Sequence, residues 1–154
     1  MELTNPQVIK DIKRKFGFEF KKNFGQNFLT SPSVLDDICD AASGSDGIIE
    51  IGPGFGVLTK ALSERFEKVV AIEIDNRLPE VLNYTLGGAE NVKIINGDCM
   101  KLNLAKLIDD EFGEKSVSVA ANLPYYITTP ILTMLLESGL KLEKIVVMVQ
   151  KEVA

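Results

Sequence analysis

The sequence predicts an α/β protein built on a parallel sheet, and two observations support that prediction. Five short apolar runs, each containing β-branched residues, follow one another along the chain at 48–51, 69–74, 92–95, 117–121 and 145–149. Most of the segments between them have the length of a helix and repeat apolar residues every three or four positions. Buried strands that alternate with helices are typical of a parallel sheet with helices packed on it.

Two helices are predicted before the first strand. Asn5 and Pro6 are typical of a helix start, and apolar residues recur at helical spacing up to Gly17. A second helix is expected to begin at Ser31-Pro32, with one apolar face formed by Val34, Leu35, Ile38, Cys39 and Ala42. The residues between the two helices form an aromatic, basic connector.

Helices are also predicted between the strands. After the first run, apolar residues recur with a period near 3.6 at Val57, Leu58, Ala61, Leu62 and Phe66. After the third run, the same spacing is seen at positions 104, 107 and 108. The last helix is predicted to start with Thr129 as its N-cap and Pro130 in its first turn, followed by inward-facing apolar residues.

Composition limits the classes of chemistry. With 154 residues, of which 45% are hydrophobic and 25% charged, the chain has the composition of one globular domain. It contains no apolar stretch of about 20 residues and does not begin with the basic-then-apolar order of a secretory signal. A cytoplasmic location without membrane contact is therefore expected. The absence of histidine argues against serine-triad hydrolysis and most zinc chemistry. Cys39 and Cys99 are interpreted as reduced thiols packed as small hydrophobic residues, and no metal site is expected.

Charge is distributed unevenly along the chain, whose net charge is −5. The first 29 residues contain six lysines and arginines against three acids, so this arm carries +3 and the rest of the chain carries −8. An acidic body is not expected to wrap nucleic acid, because affinity for nucleic acid comes mostly from phosphate neutralisation. The basic arm is either an RNA contact or an ordinary solvated helix face.

A glycine-rich turn follows the first predicted strand. In the sequence Glu50-Ile51-Gly52-Pro53-Gly54-Phe55-Gly56, three glycines link this strand directly to a helix. Backbone without side chains lets a ligand approach closely, although an ordinary glycine turn is the alternative. The Gly-x-Gly-x-Gly spacing differs from the Gly-x-Gly-x-x-Gly of dinucleotide enzymes and favours S-adenosylmethionine over NAD. The alternative hypothesis, a nicotinamide dehydrogenase, is supported by the glycine turn alone.

Carboxylates follow the second and third predicted strands. Glu73 lies 23 residues after Glu50, near the offset of about 20 residues expected of an acid that binds a ribose. We therefore predict that Glu73 accepts hydrogen bonds from both ribose hydroxyls, the alternative being an acid that simply enters solvent. Asp98 follows the third strand, where it either accepts a hydrogen bond from the adenine amine of the cofactor or caps a helix.

The fourth predicted strand ends in Asn122-Leu123-Pro124-Tyr125, a combination that suits one chemistry. The exocyclic amine of adenine is a poor nucleophile because its lone pair is delocalised into the ring. Acceptors on both of its N–H bonds, the Asn122 side-chain oxygen and the Leu123 carbonyl, favour pyramidalisation and free that lone pair. Pro124 stiffens the turn, and Tyr125 offers a stacking face for a flipped base, worth about 1–3 kcal/mol. A polar turn that only caps the strand is the alternative.

Four blocks of sequence together resemble the ribosomal RNA adenine dimethyltransferases, and their small-subunit branch more than their erythromycin-resistance branch. The blocks are residues 24–29 (Phe-Gly-Gln-Asn-Phe-Leu), 50–56, 73–75 and 122–125, in the family's order and spacing. The resemblance implies a Rossmann-like class I S-adenosylmethionine-dependent methyltransferase fold with strand order 3-2-1-4-5.

Carried over by position, the resemblance also implies site residues. Catalysis would involve Asn122, Leu123, Pro124 and Tyr125. The cofactor would be bound by Asn27, Leu29, Gly52, Gly54, Glu73, Ile74, Asp98, Cys99 and Asn122.

The reaction implied is the transfer of methyl groups from S-adenosylmethionine to N6 of two adjacent adenines in small-subunit ribosomal RNA, with two methyl groups added to each adenine. The product would be S-adenosylhomocysteine, and the partner would be the immature small ribosomal subunit. Residues 1–30 would form a helix and a basic arm over the cofactor, and residues 31–154 part of the catalytic domain. Family members continue through further strands and a C-terminal helical domain, so this segment alone is expected to bind cofactor and to be inactive on RNA. Two alternatives stay open: another Asn-x-Pro-Tyr amino-methyltransferase, and a non-catalytic ribosome-assembly factor with the same fold.

Overall fold

A computed structural model of the protein describes residues 1–18 and 31–148. Within these residues one parallel sheet contains five strands: β1 (Gly47–Ile51), β2 (Lys68–Glu73), β3 (Val92–Asn96), β4 (Val117–Ala121) and β5 (Ile145–Val147). Their order is β3-β2-β1-β4-β5, and every neighbouring pair is parallel. The α/β fold class and the strand order predicted from the sequence are confirmed.

Six helices connect or precede the strands in the described part of the chain. They are α1 (Pro6–Phe16), α2 (Pro32–Ala42), α3 (Val57–Ser63), α4 (Leu78–Thr85), α5 (Leu104–Phe112) and α6 (Tyr125–Glu137). None of them is long and apolar enough to cross a lipid bilayer.

The sheet separates two hydrophobic clusters. Side chains of α1, α2, α3 and α4 pack with Ile48, Val69 and Ala120 on one face. Side chains of α5 and α6 pack with Ile49, Val70 and other strand residues on the opposite face. Because β1 and β4 are buried along their whole length, they form the rigid centre from which the carboxyl-terminal loops emerge.

Helix α1 begins and ends at the residues that the sequence indicates. The Asn5 side chain accepts a hydrogen bond from the Gln7 backbone N–H at 2.9 Å, and Gly17 ends the helix with a φ of 73°, a conformation that glycine adopts without strain. Leu3 and Ile12 are buried in the cluster shared with α2, α3 and α4. The amino-terminal helix is therefore packed against the sheet domain.

Several boundaries differ from the predictions, most of them by one or two residues, and the largest difference is at α6. Helix α6 begins at Tyr125 rather than at Thr129, so Pro130 lies inside the helix. The backbone N–H groups of Ile127 and Thr128 donate to the Pro124 carbonyl at 3.0 and 3.2 Å, and these hydrogen bonds begin the helix directly after β4. Strand β2 ends at Glu73, one residue early, and Ile74 is 67% exposed. Residue 149, the last of the fifth apolar run, lies outside the described residues.

Candidate active site

A cavity of about 700 Å³ opens at the carboxyl ends of the strands, beside the point where the strand order reverses between β1 and β4. Ligands of open parallel sheets bind at such a switch point. The walls come from the loops after β1, β2, β3 and β4 and from one face of α1. The predicted site residues that line it are Gly52, Gly54, Glu73, Ile74, Asp98, Cys99, Asn122, Leu123 and Pro124.

The glycine turn after β1 is in direct contact with the turn after β4. Gly52 has a φ of 74°, and a Cβ atom added to it would lie 2.3 Å from Cδ2 of Leu123. Its backbone N–H donates to the Ile72 carbonyl at 3.0 Å. Position 52 therefore requires glycine for two reasons: its backbone is left-handed, and the Leu123 side chain occupies the space that a Cβ atom would need. The predicted cofactor turn and the predicted catalytic turn are one packed unit.

Glu73 joins the glycine turn to the end of β2. It is 5% exposed, its Oε1 accepts from the Gly54 backbone N–H at 3.2 Å, and its Oε2 accepts from the Asp75 backbone N–H at 3.0 Å. Burial raises the pKa of this carboxyl, and the backbone hydrogen bonds oppose the shift. Glu73 thus lies in the cavity wall as an acceptor whose position is fixed by backbone donors.

Asp98 takes part in a turn and also lines the cavity. The alternative that it caps a helix is wrong, because α5 begins at Leu104 with Asn103 as its N-cap. The Asp98 Oδ1 accepts from the Met100 backbone N–H at 2.9 Å, and the Asp98 carbonyl accepts from Lys101 and Leu102. The neighbouring Cys99 is buried in the cavity wall, and burial raises the pKa of its thiol.

The turn after β4 is held by α6. The single proton of the Thr128 hydroxyl is shared between the Pro124 carbonyl at 3.1 Å and the Leu123 carbonyl at 3.3 Å. A carbonyl oxygen has two lone pairs, so the Leu123 carbonyl retains capacity for a second donor.

Three predicted residues lie outside the structural description of the site. Asn27 and Leu29 belong to residues 19–30, which the structure does not describe. Tyr125 is the first residue of α6, and only its backbone is described.

Glu50 is a candidate functional residue that the sequence analysis did not single out. It is 1% exposed in the middle sheet strand and accepts a hydrogen bond from the Thr59 hydroxyl at 2.5 Å. Burial raises the pKa of Glu50 to about 8, the Thr59 hydrogen bond opposes the shift, and the charge of Glu73 adds to it. The available signal was an acid inside an otherwise apolar run.

Helix α1 forms a wall of the cavity; the sequence analysis expected residues 1–30 over the cofactor but named no site residue in this helix. Its contributing positions are Leu3, Pro6, Ile9, Lys10 and Lys13, spaced along one side of the helix and the residues before it. Among them Lys13 is 8% exposed, and burial lowers the pKa of its ammonium. Among the described residues, no group of three potential metal-ligating side chains is present.

Comparisons with known proteins agree with this geometry. A family model described as "Ribosomal RNA adenine dimethylase" matches residues 17–154. The Bacillus pumilus protein named ribosomal RNA small subunit methyltransferase A is 51% identical over 156 residues, which cover 99% of this chain and 53% of the relative. The chain thus spans about half the length of the curated relatives it matches.

Solved structures with the same fold include enzymes that act on RNA. The 23S rRNA methyltransferase ErmE is similar with a TM-score of 0.66 and 28% identity, covering 82% of this chain and 49% of that one. An RNA methyltransferase from Salinibacter ruber, solved in complex with S-adenosyl-L-homocysteine, has a TM-score of 0.56 at 22% identity, covering 74% of this chain and 71% of that one. Because the family match extends over all but the first 16 residues, the chain belongs to the ribosomal RNA adenine dimethylase family.

Proposed function

We propose that this chain is the cofactor-binding part of an enzyme that dimethylates N6 of adenine in small-subunit ribosomal RNA, with S-adenosylmethionine as methyl donor. The observation on which the proposal depends is that the Asn122-Leu123-Pro124 turn lines the same cavity as the glycine turn and Glu73. A methyl donor and an acceptor amine must meet in one place, and this cavity contains residues suited to each.

The cavity fits S-adenosylmethionine in size and in polarity. Its volume of about 700 Å³ lies within the range of roughly 300–1,000 Å³ that is common for cofactor sites. Glu73 supplies a carboxylate for the ribose diol, and Asp98 one for the adenine amine, while Ile74 and Cys99 offer apolar contacts beside them. Gly52 and Gly54 would admit the methionine part.

The chain's own groups would position and activate the target amine. When bound, S-adenosylmethionine supplies an electrophilic methyl group on a positively charged sulfur. The Asn122 side-chain oxygen and the Leu123 carbonyl would accept hydrogen bonds from the two N–H groups of the amine. The nitrogen would then be pyramidal, and its lone pair would no longer be delocalised into the ring. The Thr128 hydroxyl, 3.3 Å from the Leu123 carbonyl, helps to hold that carbonyl in place. The methylated amine is cationic and releases a proton to water, so positioning rather than a histidine base would provide the rate.

The comparison with relatives favours small-subunit RNA as the substrate. The Bacillus pumilus small-subunit enzyme is 51% identical to this chain, whereas ErmE, which is named for 23S rRNA, is 28% identical. An immature small ribosomal subunit in the cytoplasm is accordingly part of the proposal. The proposal also divides the chain into an amino-terminal arm (residues 1–30) and a catalytic part from residue 31. Asn27 and Leu29 of the arm would cover the cofactor.

Mass spectrometry of ribosomal RNA tests the proposal. The full-length protein and S-adenosylmethionine are incubated with small subunits from cells that lack the modification, and with fully modified subunits as the matched control. We expect two adjacent N6,N6-dimethyladenines in the first sample and no added methyl groups in the second. Subunits that bind the protein but gain no methyl group would support the non-catalytic assembly factor instead.

A further inference from the structure

Helix α6 presents an aromatic ring beside the cavity. Tyr126 is the second residue of this helix, and it is 66% exposed. Pro124 and Ile127, which precede and follow it in the sequence, line the cavity, whereas Tyr126 does not. Because successive residues of a helix point about 100° apart, the Tyr126 ring lies next to the pocket and outside it.

Other exposed apolar side chains have a different setting. Ile74 and Met100 are also exposed, but both line the cavity. Leu136 is 68% exposed, but it lies at the far end of α6, three helical turns from the cavity. Tyr126 therefore adds an exposed aromatic surface that the proposed cofactor site does not use.

The segment that contains Tyr126 carries no charge. Residues 116–136 include no Asp, Glu, Lys or Arg. Beyond Tyr126, the next exposed positions of α6 are uncharged: Thr129, Pro130 and Thr133. By contrast, the loops after β2 and β3 place Asp75 and Asp98 at the cavity. A nucleic-acid strand that approaches the cavity meets negative charge from those loops and none from residues 116–136, so its phosphates are better tolerated on the α6 side.

We propose that Tyr126 stacks on the nucleotide next to the target adenine, an inference that rests on the function proposed above. When one base turns into the cavity, its neighbour in the strand loses a stacking partner, and an exposed ring beside the cavity can replace that partner. Stacking on an aromatic side chain tolerates any base, so the same ring serves whichever of the two adenines is being methylated. Tyr126 would thus hold the strand, whereas the acceptors of the catalytic turn activate the amine.

Three substitutions of Tyr126 in the full-length enzyme test the proposal. The KM for small subunits that lack the modification and the kcat are measured for each variant. We expect Tyr126→Leu and Tyr126→Ala to raise the KM about fivefold or more, because a base loses its aromatic partner, and to leave the kcat within about twofold. Tyr126→Phe keeps the ring, so its KM should stay within about twofold of that of the unsubstituted enzyme.

Two controls separate an RNA contact from a structural role. Affinity for S-adenosylhomocysteine should stay within about twofold in all three variants, since Tyr126 does not line the cavity. The melting temperature should change by about 2 °C or less, because the side chain is exposed. Leu136→Ala is the matched control, an exposed apolar side chain of the same helix away from the cavity, and its KM should be unchanged.

Each other outcome contradicts the proposal in a distinct way. A normal KM in Tyr126→Leu but not in Tyr126→Ala would assign the contact to an apolar protein surface of the subunit, and a raised KM in Tyr126→Phe would assign it to the hydroxyl. A fall in kcat alone would show that Tyr126 acts on the target base. A clearly lower melting temperature would show that the ring packs against the rest of the full-length enzyme, and an unchanged KM in all variants would show that it has no part in binding. If the unsubstituted enzyme binds S-adenosylhomocysteine but methylates no subunits, the proposed function itself fails, and the assignment of Tyr126 fails with it.

Discussion

Charged side chains lie both at the edge of the sheet formed by the amino ends of the strands and at the edge formed by their carboxyl ends, here called the amino edge and the carboxyl edge. Different partners stabilise the charges at the two edges. At the amino edge, Glu111 of α5 pairs with Lys68 at 2.7 Å and also with Lys93, and the Lys68 hydrogen bond is the largest cause that lowers the pKa of Glu111. At the carboxyl edge, the partners of Glu73 are backbone N–H groups, and burial raises its pKa.

The difference separates structural charges from charges available to a ligand. An ion pair between side chains compensates the charge of both members, so Glu111 and its two lysines have little charge left to offer a ligand. A carboxylate that accepts from backbone donors keeps its charge and its remaining lone pairs, which is the arrangement expected at a binding site. Four substitutions test this comparison.

The largest effect is expected at Asn122, on the carboxyl edge. Asn122→Ala removes an acceptor that is needed chiefly when the target amine pyramidalises, so turnover of the full-length enzyme should fall by about 100-fold or more. Affinity for S-adenosylhomocysteine should change much less. Methylation of unmodified small subunits measures the first quantity and calorimetry the second. Near-normal turnover by this variant would contradict the proposed mechanism.

The next effect concerns Glu50 and pH. The pKa of Glu50 is about 8 in the folded protein and near 4.5 when unfolded, so the folded state binds the proton more tightly. The stabilisation is complete below about pH 4.5 and is lost as pH rises towards 8, with a limiting slope of about 1.4 kcal/mol per pH unit.

The variant Glu50→Gln tests that slope, because an amide does not titrate. Urea unfolding at several pH values between 5 and 8 should show a shallower loss of stability in the variant than in the unmodified protein. The remaining slope should have the same sign, since the pKa of Glu73 is also raised. Parallel stability curves for the two proteins would show that Glu50 has an ordinary pKa.

A smaller effect is expected at Gly52, where the two turns touch. Gly52→Ala adds a Cβ that would overlap Leu123 and strains a backbone with a φ of 74°. Gly139→Ala is the matched control, because its φ is 70° and no atom lies within 4 Å of an added Cβ. We expect Gly52→Ala to lose about 1–3 kcal/mol of unfolding free energy beyond the control.

The double variant Gly52→Ala, Leu123→Ala isolates the contact itself. Removing the Leu123 side chain makes room for the added methyl, so the two losses should not be additive. Additive losses in urea unfolding would mean that the turns after β1 and β4 are independent.

The sequence predicts much of the fold because the relevant signals are local. Apolar runs with β-branched residues indicate the strands, and Asn5, Pro6 and Gly17 indicate both ends of α1. The start of α6 was predicted wrongly because a Thr-Pro pair resembles a helix start, whereas a backbone hydrogen bond from Thr128 to the Pro124 carbonyl starts the helix directly after β4.

The site was harder to predict where it depends on contacts between distant residues. The spacing of the glycines does not show that Leu123 fills the space above Gly52. Nor does the sequence of α1 show that the Lys13 ammonium lies 5.8 Å from the centre of the Phe55 ring in the glycine turn. Both facts arise when separate segments pack on one sheet, and a single sequence carries no local signal for such contacts.

The smallest effect is expected at Glu111, on the amino edge. Glu111→Gln removes the charge that pairs with Lys68 and Lys93. Because both lysines are more than a third exposed, solvent screens the pairs, and we expect a loss of about 0.5–1 kcal/mol near pH 7.

The lowered pKa of Glu111 means that this stabilisation is present above the pKa of the unfolded chain and disappears as pH falls through the folded pKa. The variant and the unmodified protein should therefore converge in urea unfolding once the pH is below the folded pKa of Glu111, and 1 M salt should narrow their difference at pH 7. Affinity for S-adenosylhomocysteine should stay within about twofold, since Glu111 and the lysines that pair with it are not among the residues that line the cavity. A larger change in affinity would show that the two edges of the sheet are energetically coupled, and the comparison between structural and ligand-facing charges would then fail.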